Sequence, residues 1–235
     1  MAKTVVRWLG HAFFQVISPS GKVILIDPWM EGNPSCPVTL QAMDRVDIVA
    51  VTHNHFDHAG QAAELIAQTG ATLVAMVETT EALKAAGVPA ERCLFGGIGM
   101  NIGGQVVLDG IQITMTQAVH SSASGNATGF VIELENGKTL YHAGDTGIFA
   151  DMALIGELYP LDVAMIPIGD VFTMGSKQAA KAVTLLQPKV VIPMHFGSFP
   201  ILVQDAAPFV AAVSRSRPQT RVVVLKPGET WEMDG

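Results

Sequence analysis

The first third of the chain alternates apolar and polar positions in short blocks, and later blocks change to helical spacing. Thr4–Leu9, Phe13–Ile17 and Lys22–Ile26 are short and rich in β-branched residues, with Ser18-Pro19-Ser20-Gly21 as a turn between the second and third. This pattern predicts three strands. Asp27-Pro28 ends the third. In Trp29–Arg45, Gly, Asn, Pro, Ser and Cys follow in close succession, which predicts a long loop of the kind that is often functional. Asp47–Thr52 is nearly all apolar and reads as a buried strand. Ala59–Thr69 carries apolar residues at Ala62, Ala63, Leu65 and Ile66, the spacing of a helix. A strand over Thr72–Val77 and a helix over Thr80–Ala86 follow, the helix stopped by Gly87 and Pro89.

Gly96–Gly104 is rich in glycine but lacks both the GxGxxG pattern and a following helix, so it reads as turns and not as a phosphate cradle. Strands return at Gln105–Leu108, Ile111–Gln117, Gly129–Glu135 and Lys138–His142, with Asn136-Gly137 as a hairpin signal between the last pair. The last third predicts helices over Phe149–Leu158, Ser176–Leu186 and Asp205–Ser214, alternating with strands at Leu161–Ile166, Val190–Pro193 and Arg221–Leu225. Strands early in each half and helices later predict sheets packed together with helices outside, an α/β (α+β) organisation. The length of 235 residues fits one domain over 1–235, with no clear repeat and no low-complexity stretch.

Composition narrows the function classes. Hydrophobic residues make up 49% of the chain and charged ones only 15%, enough to bury a large core and to exclude disorder. A net charge of −7 argues against broad nucleic-acid binding, which needs a basic surface. Cys36 and Cys93 lie outside any CxxC spacing and read as free thiols of a reducing compartment. Met1–Trp8 has no apolar signal region, and no apolar run approaches the roughly 18 residues needed to span a bilayer. The expectation is a soluble, cytoplasmic protein without a membrane partner. A mean hydropathy of +0.36 points to a homo-oligomer that covers apolar surface.

The chemistry concentrates in His53-Asn54-His55-Phe56-Asp57-His58, which holds three of the seven histidines of the chain. Imidazole and carboxylate are ligands for zinc, iron and similar divalent cations. Further candidates lie just past the ends of predicted strands: His120 after Ile111–Val119, Asp145 after Lys138–Tyr141, and His195 after Val190–Met194. Strand ends at one sheet edge are where residues distant in sequence can meet. One open catalytic ion takes about three protein ligands. His53, His55, Asp57, His58, His120, Asp145 and His195 therefore suit two divalent ions, with zinc the leading identity and manganese or iron the alternatives.

Two ions about 3.5–4 Å apart would lower the pKa of a bridging water and supply hydroxide at neutral pH. Asp57 and Asp145 would orient it. The expected function is a dinuclear metal-dependent hydrolase of a small ester, lactone or phosphodiester. A metal-dependent RNA-processing nuclease, a di-iron redox or oxygen-handling protein and a non-catalytic metal-binding protein are the alternatives. Asp27, at a strand end, is a candidate to hold a metal-bound imidazole, or else a turn-forming residue. His11 and His142 are each either a proton donor or substrate contact, or structural. Thr173-Met174-Gly175-Ser176 opens a helix whose N–H groups would suit an anionic substrate group, or is an ordinary helix start. Phe172, Met174, Phe196 and Phe199 are candidates for a pocket wall, with plain core as the alternative.

Together these residues resemble the metallo-β-lactamase superfamily: its HxHxDH signature at His53 to His58, then His120, Asp145 and His195 in order along nearly the whole chain. Trp8-Leu9-Gly10-His11-Ala12, Ile26-Asp27-Pro28, Tyr141–Thr146 and Gly169–Gly175 are similar to the uncharacterised metal-dependent hydrolases related to L-ascorbate-6-phosphate lactonases. The resemblance implies a four-layer αββα sandwich of two mixed β-sheets flanked by helices, with metals at one sheet edge. It implies His53, His55 and His120 on one ion, Asp57, His58 and His195 on the other, and Asp145 bridging. It also includes His11, which tilts that residue toward a catalytic role. Asp145 stands where common class B β-lactamases have cysteine, so antibiotic hydrolysis is not expected. Flavodiiron proteins usually carry Glu at the place of His55 and a flavin domain, and tRNA-processing nucleases add an RNA-binding arm. Neither pattern is present in this sequence.

Overall fold

The computed structural model describes residues 3–233. Strands β1 (Val5–Trp8), β2 (Phe14–Ile17), β3 (Val23–Ile26) and β4 (Ile48–Val51) lead to helices α1 (Phe56–Ala59) and α2 (Ala62–Thr69). Strand β5 (Thr72–Ala75), helix α3 (Val77–Ala85) and the single turn α4 (Leu94–Gly97) follow. The second half runs β6 (Gln105–Leu108), β7 (Ile111–Gln117), β8 (Thr128–Glu133), β9 (Thr139–His142), α5 (Met152–Leu158), β10 (Val163–Pro167), α6 (Ser176–Leu186), β11 (Val190–Met194), α7 (Ala207–Ser216), β12 (Arg221–Val222) and β13 (Thr230–Glu232).

The strands form two mixed sheets, ordered β13-β1-β2-β3-β4-β5 and β12-β11-β10-β9-β8-β7-β6. Val6, Phe14, Ile24, Ile26, Ala50 and Val74 of the first sheet meet Ile113, Met115, Phe130, Ile132, Met165 and Ile192 of the second in one buried cluster. Helices cover both outer faces. Leu65 and Ile66 of α2 and Leu83 of α3 pack on Leu25, Val49 and Leu73. Met152 of α5, Val183 and Leu186 of α6 and Phe209 of α7 pack on Tyr141, Ala164 and Val191. β4 and β10 are buried along their whole length, covered on both faces. The expected αββα sandwich is the observed fold.

Strand direction positions the site. β3 and β4 are parallel, as are β9, β10 and β11. β7 and β9 run the same way because each is antiparallel to β8. The two sheets are tied at this edge, where the Thr128 N–H and hydroxyl both donate to the Thr52 carbonyl, at 3.0 and 2.7 Å. The C-terminal ends of β3, β4, β7, β9 and β11 therefore open onto one edge.

Some expectations needed correction. The helix expected over Ala59–Thr69 is two pieces. Gly60 breaks it at φ +32, where a Cβ would lie 2.5 Å from the Trp29 Cα. The first piece, α1, already begins at Phe56 and carries Asp57 and His58. The strand expected over Arg221–Leu225 pairs only at Arg221–Val222. β13 was missed because Thr230–Glu232 is a short edge strand with mostly exposed residues. No helix among the described residues is long and apolar enough to cross a membrane. Cys36 and Cys93 are both free thiols.

Candidate metal centre

All seven sequence-predicted ligands come together at this edge. His53, His55 and His120 each bring one ligand atom into a group within 4.8 Å, and so do Asp57, His58 and His195. His11 belongs to the second group, and His53, His58 and Asp145 form a third that joins the two. Asp145 Oδ2 lies 3.0 Å from His195 Nε2, 3.2 Å from His58 Nε2 and 3.6 Å from His120 Nε2. It thus faces imidazoles of both groups.

Each side chain is placed by its strand end. His53 follows β4 by two residues, and α1 then turns Asp57 and His58 back under it. Asp145 follows β9 across Gly144, whose φ of +61 and 2.2 Å approach of a would-be Cβ to the Thr128 carbonyl admit only glycine. His195 follows β11 directly in the left-handed region, at φ 57, and its N–H donates to the His11 carbonyl at 3.0 Å. His11 and Asp27 are also left-handed, at φ 55 and 52. Such backbone persists only where its surroundings over-determine it, and it clusters here at the candidate site.

A buried network fixes the imidazoles. Asp27 ends β3 and is fully buried. It accepts from the Thr52 N–H at 2.8 Å, the Thr52 hydroxyl at 2.7 Å and His58 Nδ1–H at 2.7 Å. A carboxylate only accepts, so Thr52 donates to Asp27 and its oxygen accepts from His53 Nδ1–H, 3.0 Å away. One carboxylate therefore sets the tautomers of two histidines and turns both Nε2 atoms toward the cluster. His53 Nε2 also faces His55 Nδ1 at 3.0 Å. Sequence reasoning found Asp27 but missed Thr52; its place directly before His53 at the strand end was the available signal.

Burial and neighbouring charge set the proton states. Burial, reinforced by His58, holds His53 down to about 2, so it is neutral. Burial also lowers His120. Burial works against the charge of His58, but Asp145 and Asp27 outweigh it and push this imidazole well above its ordinary value. Burial likewise opposes charge on Asp145, yet His195 and His58 hold it well below the usual carboxylate range. Asp57 is held low by His11 and His58 against the effect of burial.

The donor set fits divalent cations. Nε2 of His58, Nε2 of His195 and Oδ1 of Asp145 are buried without a hydrogen-bond partner among the described residues. Buried polar atoms are nearly always satisfied, and a shared cation is the partner common to these. Imidazole nitrogen with carboxylate oxygen is a donor set for zinc, manganese or iron.

The remaining candidates separate. His142 is fully buried, with Nε2–H donating to the Ala12 carbonyl at 2.9 Å and Nδ1 accepting the Gly144 N–H at 3.2 Å. Both nitrogens are used within the core, and the structural reading holds. His11 is also fully buried, with Nδ1 2.6 Å from Ser198 Oγ and Nε2 3.3 Å from Asp57 Oδ2. Burial, reinforced by His195, lowers it to about 4. Ser198 had no signal in the sequence. Thr173–Ser176 does open α6, but the Asp170 carboxylate lies within 3.1 Å of the Cβ position at Gly175. Met174 is core, and half-buried Phe196 stacks on Trp8 at 5.2 Å. Phe172 and Phe199 do wall a cavity of about 700 Å³ over the cluster, together with Phe56, Pro200 and Ile201. His55, Asp57, His120, Asp145 and His195 form its floor, with Ser121 beside them.

The family described as "Beta-lactamase superfamily domain" matches residues 22–196. A UPF0173 metal-dependent hydrolase of Nitratidesulfovibrio vulgaris strain DP4 is 48% identical over 232 residues, spanning 99% of this chain and 96% of its own. A UPF0173 metal-dependent hydrolase of Pyrobaculum islandicum is 48% identical over 231 residues, spanning 96% and 98%. Among solved structures, Igni18, a metallo hydrolase from the hyperthermophilic archaeon Ignicoccus hospitalis, is 40% identical with a TM-score of 0.88 and covers 100% of both chains.

Proposed function

The chain belongs to the UPF0173 metal-dependent hydrolase family of the metallo-β-lactamase superfamily, and on that premise we propose that it hydrolyses an ester-type bond of a small molecule at a two-ion centre. The observation that carries this reading is Asp145, whose Oδ2 lies within 3.6 Å of Nε2 of His58, His120 and His195. A carboxylate in that position would be able to serve two ions. His53, His55 and His120 would hold one, Asp57, His58 and His195 the other. The imidazole-rich donor set favours zinc, with manganese or iron as alternatives.

Bound there, the ions would supply water activation at neutral pH and polarisation of the scissile bond. The protein does the rest. Asp57 and Asp145 both line the cavity floor and orient the attacking water toward a substrate in the cavity. Asp27 and Thr52 keep His53 and His58 in the tautomers that point inward. His11 is absent from the cavity lining; it acts as a positioning residue that holds Asp57 from behind and is itself held by Ser198. The nuclease alternative is disfavoured because no Lys or Arg among the described residues lines the cavity, whereas a nucleic-acid backbone calls for cations.

Metal analysis joined to a substrate panel of a lactone, bis-p-nitrophenyl phosphate and a thioester tests the reading. The expected result is about two ions per chain and turnover of at least one substrate, both reduced in Asp57→Ala. Retention of full activity and metal content by Asp57→Ala overturns it.

A further inference from the structure

The cavity over the metal centre is walled almost wholly by apolar groups. Phe56 at the start of α1, Phe172, and Phe199-Pro200-Ile201 after β11 surround the carboxylate and imidazole floor. Three of these side chains are large, apolar and strongly exposed: Phe56 at 69%, Ile201 at 61% and Phe172 at 54%. Scattered exposed apolar residues need no explanation, but a ring of them around one cavity does.

The wall is built rather than loose. Buried Trp29 stacks on Phe199 (centroids 5.4 Å, 21°) and meets Phe56 edge-on (5.7 Å, 87°), so two sides of the cavity rest on one indole. Asp170 and Val171 are both left-handed, at φ 62 and 52. A β-branched residue there is strained. The strain is kept in the turn that presents Phe172 to the cavity.

Charge points the same way. Among the described residues, the only charged side chains in the lining besides imidazoles are Asp57 and Asp145, and no Lys or Arg reaches it. The nearby start of α6 has the Asp170 carboxylate against Gly175, which repels an anion there. A phosphorylated or carboxylated substrate would find no side-chain cation, while an alkyl or aryl group would find three phenyl rings.

We propose that the substrate is an uncharged ester or lactone whose group next to the scissile bond is apolar, aromatic or alkyl, and is held by Phe56, Phe172, Phe199 and Ile201. This rests on the hydrolase reading above, and hydrolysis adds one water across the ester bond to give an acid and an alcohol.

The test uses the zinc-loaded full-length protein and two matched esters, p-nitrophenyl butyrate and mono-p-nitrophenyl succinate, which share a leaving group and differ by a terminal carboxylate. The butyrate is expected to have kcat/KM at least about tenfold higher, with Phe172→Ala raising its KM roughly tenfold at little change in kcat. Equal or better turnover of the succinate overturns the proposal. So does a Phe172→Ala protein whose KM is unchanged and whose elution from a sizing column shifts, which would assign the rim to self-association. Calorimetric binding of the unreactive p-nitroanilide counterparts separates the two readings. If neither ester is turned over, preference for the uncharged anilide keeps the substrate class and sinks the hydrolase reading. Preference for the charged one sinks the substrate class in either case.

Discussion

His58 Nδ1 donates to Asp27 Oδ2 across 2.7 Å, and neither side chain reaches solvent. The contact joins the end of β3 to α1 and leaves His58 Nε2 aimed at Asp145. Carboxylates behind metal-bound imidazoles fix ring orientation and raise ligand basicity, and their removal typically lowers metal affinity about 10–100-fold. Asp27→Asn keeps the shape and loses the charge. Competition with a chromophoric chelator should show zinc affinity reduced by about that factor, with the far-UV spectrum of the folded protein retained. Unchanged affinity would remove Asp27 from the centre.

The same pair sets a pH dependence. Despite burial, Asp145 and Asp27 push the metal-free His58 well above its ordinary 6.5. An ion taking Nε2 must displace that proton, so uptake releases protons and affinity rises with pH up to the raised pKa. For the metal-free fold the sign is opposite. A group with a raised folded pKa contributes stability below about 6.5, its unfolded value, and that contribution is lost as pH rises through the folded value. Calorimetry of zinc binding at neutral pH in buffers of different ionisation enthalpy should therefore show net proton release. A zero proton count would contradict the assignment.

The seven candidate ligand positions were legible in the sequence because each is a His or Asp placed past a run of β-type residues, and the four such runs, β4, β7, β9 and β11, do end on one edge. Sheets packed together with helices outside were legible from the order of strand and helix blocks, whereas the αββα layering was implied by the family resemblance. Groups without a distinctive chemical signature escaped. Thr52 is one more β-branched residue at a strand end until its hydroxyl is seen between His53 and Asp27. Ser198 becomes visible only when β11 is brought beside His11. The start of α1 was missed because Asn54–His58 reads as a polar ligand loop, and a four-residue helix is too short to show periodicity.

His11 and Ser198 provide the next test. The hydroxyl and Nδ1 are 2.6 Å apart and buried, which leaves Nε2 facing Asp57 Oδ2 at 3.3 Å. Ser198→Ala leaves a buried imidazole nitrogen without a partner and loosens the group behind Asp57. The expected outcome is a fall in kcat of roughly tenfold with KM nearly unchanged, and a larger fall in His11→Ala, since loss of an orienting group acts on the transition state. Steady-state kinetics decide it. A raised KM at constant kcat would instead make His11 a substrate contact.

Gly144 stands between the end of β9 and Asp145. At φ +61, a side chain would bring its Cβ 2.2 Å from the Thr128 carbonyl. That carbonyl has little freedom, because the Thr128 N–H and hydroxyl are both anchored to the Thr52 carbonyl. Gly144→Ala must therefore move the chain between His142 and Asp145 and not its neighbour. Gly137 is the control: it is also left-handed, at φ +77, but has nothing within 4 Å of its Cβ position. Gly137→Ala should lower stability by about 1 kcal/mol, the backbone effect alone. Gly144→Ala should lose on the order of 3 kcal/mol through added overpacking, and should weaken zinc binding as Asp145 shifts. Thermal unfolding of both variants with and without zinc reads the difference. Equal losses would mean that the turn, and with it Asp145, is free to adjust.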